Sequence, residues 1–419
     1  MKTIDEVVDS IPVGAYHYGS LAILVASYAM DSAIANSVGF ITVCSGDGLG
    51  LSGKETGLLG SCLFFGEIFG SLFLAQYSDA VGRRGAILLA LSLMAVFMYL
   101  SILSETYFLL VFFLVLTGFG VGGTSMNFSL ITEIVPAEKR GSFSSLVQVG
   151  WGLGGVITIG LAWGIIGSGY NWRWLVFNIA TLISLAIGLC YLYLPESIRW
   201  LYKTSQFDLA KKTAKDAATT SGAVMDDFSF SKQLIVGNTN TEIGEGADSV
   251  IKANVDSQEQ TLAEKASSWA RELSDKTADI YDSENDMLSS ILKMNYVFFS
   301  CLGVYYGISF LQTTYGGTTD TATDDATAVC TFEYAFMLYS CFLEIGAALL
   351  FYFFADKIGR QEGMTYLPLM TGVFLLSANF SGDAAAIYLI AISRALAFVY
   401  QVTTWISCPE LFSTKYVNS

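Results

Sequence analysis

Histidine occurs once in this chain of 419 residues, at His17, and its seven cysteines never fall into a C-x-x-C or other metal-ligand spacing. No metal centre can be assembled from that stock. A nucleotide-binding loop, a nucleophile elbow and a nucleic-acid signature are also missing, so the chain does not read as an enzyme, an ATP-driven pump or a nucleic-acid-binding protein, and it implies no cofactor. Charge is scarce as well. Only 14% of residues are charged against 53% hydrophobic, and the mean hydropathy is +0.52. A soluble domain could hardly build a charged exterior from so little, so the composition points to a membrane protein.

Apolar stretches are plentiful and long. Crossing a hydrocarbon core of roughly 30 Å takes about 20 apolar residues at about 1.5 Å each. Ten such windows lie near 14–36, 56–78, 85–104, 107–130, 143–167, 173–194, 294–314, 332–354, 364–382 and 384–407. Alternation of barrel type is absent, and backbone groups in lipid must be satisfied within their own segment, so the fold class expected is all-α and polytopic. Arg83, Arg84, Lys139, Arg140, Arg199, Lys203, Lys357, Arg360 and Lys415 fall in alternate loops, whereas the opposite set holds only Lys54 and Arg173. The positive-inside rule then puts the first set, the amino terminus and the central loop in the cytoplasm. Residues 1–10 carry no basic, cleavable leader, so the first span is expected to be its own insertion signal. Cys44 and Cys330 fall on the far side, one in each half, where a disulfide is an open alternative if that side is oxidising.

The chain repeats itself at an offset of 277 residues. Asp79-Ala80-Val81-Gly82-Arg83-Arg84 returns as Asp356-Lys357-Ile358-Gly359-Arg360-Gln361, Glu133 maps onto Glu410, and Glu67 onto Glu344. Two copies of one charged-loop pattern in a membrane protein are most economically two halves of a transporter, with the solute path where the halves face each other. The boundaries expected are a six-span bundle over 1–202, an acidic cytoplasmic loop over 203–292 and a second bundle over 293–419. Nine Lys or Arg and sixteen Asp or Glu fall in that loop, about half of the net charge of −15. The loop reads as a solvated connector with helices near 207–212 and 262–280 around a linker at 221–255, with a partner-docking site as the alternative.

Several motifs together resemble the major facilitator superfamily: Ser78-Asp79-Ala80-Val81-Gly82-Arg83-Arg84, the Gly118-Phe119-Gly120-Val121-Gly122-Gly123 run leading to Glu133 and Lys139-Arg140-Gly141, and Pro195-Glu196-Ser197-Ile198-Arg199-Trp200-Leu201. Within it, Gly14-Ala15-Tyr16-His17, Val149-Gly150-Trp151-Gly152-Leu153-Gly154, Tyr305-Tyr306-Gly307 and Glu410-Leu411-Phe412-Ser413-Thr414 look like the branch holding synaptic vesicle protein 2 and organic-ion transporters. The sugar porters' double-glutamine motif in the seventh span is missing. The resemblance implies two pseudo-symmetric helical bundles and secondary transport. Ala75 and Tyr352 stand where the loop motif usually has a glycine, Ala80 replaces a usual arginine, and Leu114 stands where an arginine is common. The family has twelve spans, so the ten here imply either two spans missing from this sequence or a reduced relative.

Charges within apolar windows are the sharpest site signals, because an ionised group at mid-bilayer costs on the order of 3 kcal/mol. Asp31, Glu67 and Glu344 are such acids, and twelve residues separate Glu67 from Asp79 and Glu344 from Asp356. That spacing sets both glutamates about 18 Å from the charged loops. Arg394 is the one cation in a span, open to pairing with a substrate carboxylate or with one of the acids. Asn127, Gln148, Trp151, Tyr305 and Tyr306 could add hydrogen bonds and stacking in a central cavity. Gly66 and Gly70 would permit a close helix contact beside Glu67, the packing alternative for that acid. The gating set comprises Asp79, Gly82, Arg83, Arg84, Glu133, Arg140, Asp356, Gly359, Arg360 and Glu410. In it Asp79 is expected to accept from backbone N–H groups at a helix end, Gly82 to make a tight turn, and Arg84 and Arg140 to pair with Asp79 and Glu133.

The reading is a secondary transporter of a small organic ion by alternating access, with proton coupling left open. A sugar or polyol facilitator of the same fold, and a non-transporting membrane protein acting through partners, are the alternatives. The implied partners are a small-molecule substrate, protons and membrane lipid, and the location is a plasma or internal vesicle membrane. Substrate, direction, coupling ion and oligomeric state are not encoded in any motif.

Overall fold

The computed structural model describes residues 4–49, 51, 53–223, 287–316, 332–354, 360–381 and 383–416. Regular structure among them is helical throughout, as burial of polar backbone in hydrocarbon requires. Residues 1–230 and 301–419 form one compact unit and residues 231–300 a second. The site lies wholly in the first.

Each apolar window forms a helix or a broken pair of helices. These are α2 (Ala15–Leu49), α3 (Gly53–Val81), α4 (Arg83–Ser101), α5 (Tyr107–Val121) with α6 (Met126–Ile134), α7 (Arg140–Val147) with α8 (Val149–Ile165), and α9 (Trp172–Tyr193). After the central loop come α12 (Met287–Gly316), α13 (Tyr334–Phe354), α14 (Arg360–Asn379) and α15 (Asp383–Tyr416). Eight of these segments reach the length and hydropathy of a membrane span. The window at 294–314 falls in α12, helical over 30 residues, and the window at 364–382 overlaps α14, helical over 20 residues to Asn379. Short helices α1 (Ile4–Asp9), α10 (Ile198–Lys203) and α11 (Phe207–Thr220) share a small apolar core built on Val7, Ile11, Ile198, Leu201, Ala210 and Ala214.

The surface has the polarity of a protein in lipid. Phe65, Ile68, Phe69, Leu72 and Phe73 follow the 3-to-4 spacing of one face of α3, and all are exposed. In water such a stripe would demand a partner; in a bilayer it is the ordinary lipid face. The chain is therefore a multi-pass integral membrane protein.

Glycines set the helix contacts that position the interior. A Cβ at Gly66 or Gly70 of α3 would collide with the Val115 or Phe119 carbonyl of α5, and one at Gly118 or Gly122 of α5 with the backbone of α3. The two helices therefore touch backbone to backbone, as the glycine spacing predicts. Helix α8 does this against α2, where Gly150 and Gly154 meet the Val25 and Ala29 carbonyls, and on its other face Gly152 and Gly155 leave room for the side chains of Ile345 and Cys341 of α13. Trp151, between them, meets Tyr28 of α2 and Tyr305 and Tyr306 of α12.

The amphipathic stretch expected near 262–280, the linker at 221–255 except for 221–223, and Cys330 lie outside the described residues. The helix expected near 207–212 is the start of α11.

Candidate functional site

A cavity of about 130 Å³ opens between α2, α3, α5, α6, α8, α12 and α15. Asp31 and Glu67 both line it. So do the aromatic side chains of Tyr28, Phe64, Phe128, Trp151, Tyr306 and Trp405, with Gln401 and Thr124 among the remainder. Asp31 is held by the Thr124 hydroxyl, which lies 2.7 Å from Asp31 Oδ2. Thr124 can reach it because the fourth span breaks between α5 and α6, at the glycine pair Gly122 and Gly123. Trp405 stacks on Phe128 at 5.3 Å between ring centres, and Tyr306 meets Trp151 edge-on at 6.4 Å. Among the described residues lining the cavity there is no Lys, Arg or His to balance the two acids.

A second buried acid sits next door with the opposite arrangement. Arg394 Nε donates to Glu344 Oε1 at 2.7 Å, and both side chains are almost fully buried, at 5% and 1% exposure. The Tyr305 hydroxyl donates to the same Glu344 oxygen at 2.8 Å and accepts from Trp151 Nε1 at 2.7 Å. The Arg394 guanidinium also lies 5.6 Å from the Tyr305 ring centre. This chain of contacts joins α8, α12, α13 and α15. Desolvation of such a pair roughly cancels its Coulomb attraction, but removing one partner strands the other at a cost of about 3–5 kcal/mol.

The charged-loop motif forms a third cluster at one end of α3 and α4. Gly82 has φ 110°, a left-handed conformation that disfavours any side chain, and a Cβ there would strike the Glu196 carboxylate. Glu196 Oε1 accepts from the backbone N–H groups of Arg83 (2.9 Å), Arg84 (3.2 Å) and Ser197 (2.9 Å), so it answers the open donors at the start of α4. Burial nevertheless pushes the Glu196 carboxyl above the ordinary carboxylate range, with those N–H donors opposing. Arg83 bridges Asp79 at 2.7 Å and Glu133 at 3.0 Å. Arg199 donates to the Glu133 carbonyl at 3.2 Å and pairs with Asp5 at 2.5 Å, tying α1 to the cluster.

Most of the expected site residues fall into these three groups, with some partners other than those expected. Asp31, Glu67, Trp151 and Tyr306 do share one cavity. Tyr305, Glu344 and Arg394 instead form the neighbouring network, where Arg394 has Glu344 as its partner. Asn127 and Gln148 are fully buried but do not line the cavity: both Asn127 amide atoms lack a hydrogen-bond partner among the described residues, and Gln148 lies beside Tyr28. Arg83, not Arg84 or Arg140, holds Asp79 and Glu133. Arg84 reaches the Tyr191 carbonyl at 2.5 Å, and Arg140 makes no ion pair among the described residues. Helix capping falls to Glu196 rather than Asp79, because Gly82 at the cap has no side chain to offer and Glu196 reaches in from beyond α9. Asp356 and Gly359 lie outside the described residues, as do the side chains of Arg360 and Glu410.

Sequence reasoning passed over Tyr28, Thr124, Phe128, Gln401 and Trp405. The signal was present. Tyr28 precedes Asp31 by three residues and Gln401 precedes Trp405 by four, so each of these pairs shares one helix face, while Thr124 lies in the break just before Phe128's helix.

The family described as sugar (and other) transporter matches residues 16–242, more than half of the chain. Human synaptic vesicle glycoprotein 2C is 29% identical over 209 residues, which is 47% of this chain and 29% of the relative. The putative transporter svop-1 of Caenorhabditis elegans is 28% identical over 223 residues, 52% of this chain and 41% of the relative. The chain thus spans well under half the length of these relatives. Among solved structures, the xylose transporter XylE from E. coli in a partially occluded inward open conformation superposes with a TM-score of 0.64 at 14% identity, covering 96% of this chain and 86% of that one. The proton:xylose symporter XylE bound to 6-bromo-6-deoxy-D-glucose gives a TM-score of 0.65 at 16% identity, over 95% and 82%. At such identity the likeness establishes the fold, and the broken helices, the glycine contacts and the family match converge on one conclusion: the chain belongs to the sugar (and other) transporter family, has the major facilitator fold, and resembles the synaptic vesicle protein 2 branch.

Proposed function

We propose that the protein is a secondary transporter that carries a small organic solute across a membrane by alternating access, with Asp31 and Glu67 coupling the movement to protons. The observation that carries this reading is the cavity itself: helices from both repeats line it, and it holds two carboxylates that no cation of the lining balances. A carboxylate so placed is costly when ionised, so it favours taking up a proton or a positive charge and releasing it when the cavity faces water. The bundle boundaries 1–202 and 293–419, with a cytoplasmic loop over 203–292, belong to the same proposal. So does the placing of the Arg83 cluster at the cytoplasmic face, which rests on the distribution of Lys and Arg. A sugar or polyol facilitator is the second reading, supported by the family match and by the likeness in fold to a proton:xylose symporter.

The test is counterflow by the purified full chain in sealed vesicles, offered small organic cations, anions and sugars with and without an imposed proton gradient. Saturable exchange of at least one solute is expected. Gradient-driven accumulation of that solute should vanish in Asp31→Asn while exchange persists, because an amide keeps the shape but cannot release a proton. Folded protein that exchanges no solute would reject transport, and full accumulation by Asp31→Asn would reject Asp31 as the coupling group.

A further inference from the structure

We propose that the ligand of the Asp31–Glu67 cavity is a protonated primary or secondary amine bearing an aromatic or alkyl group. This names the substrate class for the transport reading above and rests on it.

The inference follows from which polar atoms the cavity leaves open. Asp31 and Glu67 line it, and neither forms an ion pair among the described residues. Gln401 is 2% exposed, lines the same cavity, and its Oε1 has no hydrogen-bond donor among the described residues. Among the described residues Glu67 and Gln401 Oε1 have no donor, and Asp31 has the Thr124 hydroxyl on one oxygen, which leaves the other open. A buried acceptor left unmet costs about 1–3 kcal/mol, more for a charged one, so the complementary ligand brings N–H or O–H groups. It also brings positive charge, since an anion would add to the negative charge of the lining and a neutral sugar would bring no charge to meet it.

Arg394, the single buried arginine among the described residues, cannot serve in place of a ligand, because it is bound to Glu344. The remaining wall is aromatic: Trp405 stacked on Phe128, and Tyr306 against Trp151. Such faces attract a cation and pack an apolar body, and indole is the strongest of them. A quaternary ammonium would satisfy the charge and the rings but offer nothing to Gln401, so the open acceptors select for N–H. At about 130 Å³ the space suits a small ligand, well below the roughly 300–1,000 Å³ of sites for drug-sized molecules.

The repeat adds independent support. The offset of 277 carries Thr124 onto Gln401, Phe128 onto Trp405 and Tyr28 onto Tyr305. The first two pairs both face the cavity, so equivalent positions of the two halves supply its polar and aromatic walls in matched fashion. Asp31 and Glu67 have no such balance, since the offset takes Asp31 to Ile308 and Glu67 to the paired Glu344. The negative charge therefore lies on one side only, which suits a ligand with one charged end.

The experiment titrates the purified full chain, followed by tryptophan fluorescence, with 2-phenylethylamine, the isosteric alcohol 2-phenylethanol, phenyltrimethylammonium and xylose. Saturable quenching by the amine is expected, at least about tenfold tighter than by the alcohol or the quaternary salt. Glu67→Gln and Asp31→Asn should each cut the preference for amine over alcohol by about tenfold, and Gln401→Leu should narrow the gap between the amine and the quaternary salt. The comparison of amine with alcohol needs no variant, so misfolding of a mutant cannot blur the result. Equal binding of amine and alcohol, binding of xylose in preference to amine, or no saturable signal from the amine would overturn the proposal. Counterflow of another solute by protein that ignores the amine would leave transport standing; amine binding without counterflow of any solute would do the reverse.

Discussion

Glu67 and Glu344 occupy the same place in the two repeats, yet one faces a cavity without a counter-charge and the other is locked to an arginine. The offset shows why. It takes Arg394 back to Thr117, which has a hydroxyl where the later copy has a guanidinium, and that hydroxyl is already given to the Phe113 carbonyl. One substitution in a duplicated frame thus separates a structural acid from an available one. The tie made by Arg394 and Tyr305 fixes α12, α13 and α15 and, through Trp151, holds one wall of the cavity in which the other acid remains open. Structure and site are therefore adjacent, and they meet at Trp151.

Arg394→Leu should show the largest effect. It strands Glu344, and unfolding measured in detergent should report a loss of about 3–5 kcal/mol, most of it recovered when Glu344→Leu is added. A loss in the single variant that the double variant does not recover would mean that the pair matters for more than mutual neutralisation.

An intermediate case is Glu196, an acid whose partners are backbone N–H groups. Glu196→Ala leaves the start of α4 without acceptors and should cost about 1–3 kcal/mol, whereas Glu196→Gln keeps an acceptor and should cost less. The pH dependence has a definite sign. Because burial raises this carboxyl in the folded protein, its contribution favours folding below the unfolded pKa and is lost as pH rises through the folded one. That slope should be absent in Glu196→Gln; an opposite slope would mean that the N–H donors outweigh burial.

Smaller still is Asp79→Ala. Asp79 is 55% exposed, so its bridge to Arg83 should contribute less than about 1 kcal/mol, while Arg83 keeps Glu133. At the bottom stands Glu67→Gln, expected to leave stability within about 0.5 kcal/mol of the parent, since no ion pair is broken. A large destabilisation there would turn Glu67 into a packing group and erase the contrast with Glu344.

Much of this was legible from residues alone. The spans follow from apolar length, the close crossing of α3 and α5 from Gly66 and Gly70, and the two-halved frame from the offset. The acids and Arg394 stood out because charge in an apolar window is rare. The choice of Arg83 over Arg84 was less visible, although helical periodicity contains it: residues four apart share a face, and Arg83 lies four from Asp79 where Arg84 lies five. Glu196 was hidden for another reason. It acts 113 residues away in sequence, through backbone donors that carry no side-chain signature. The extent of the cavity was hidden too, because Tyr28, Gln401 and Trp405 resemble ordinary span residues until three-dimensional packing brings them to Asp31.

The separation of an open cavity from a sealed structural pair is tested most directly by thiol labelling from each side of the membrane. Ser125 lines the cavity, whereas Cys341 is a free, fully buried cysteine in contact with Arg394. Ser125→Cys should react with a membrane-impermeant thiol reagent added to either face of sealed vesicles, over a background in which Cys341 stays unlabelled from both. Labelling of Ser125→Cys from one face only, or reaction at Cys341 as fast as at the cavity, would contradict it.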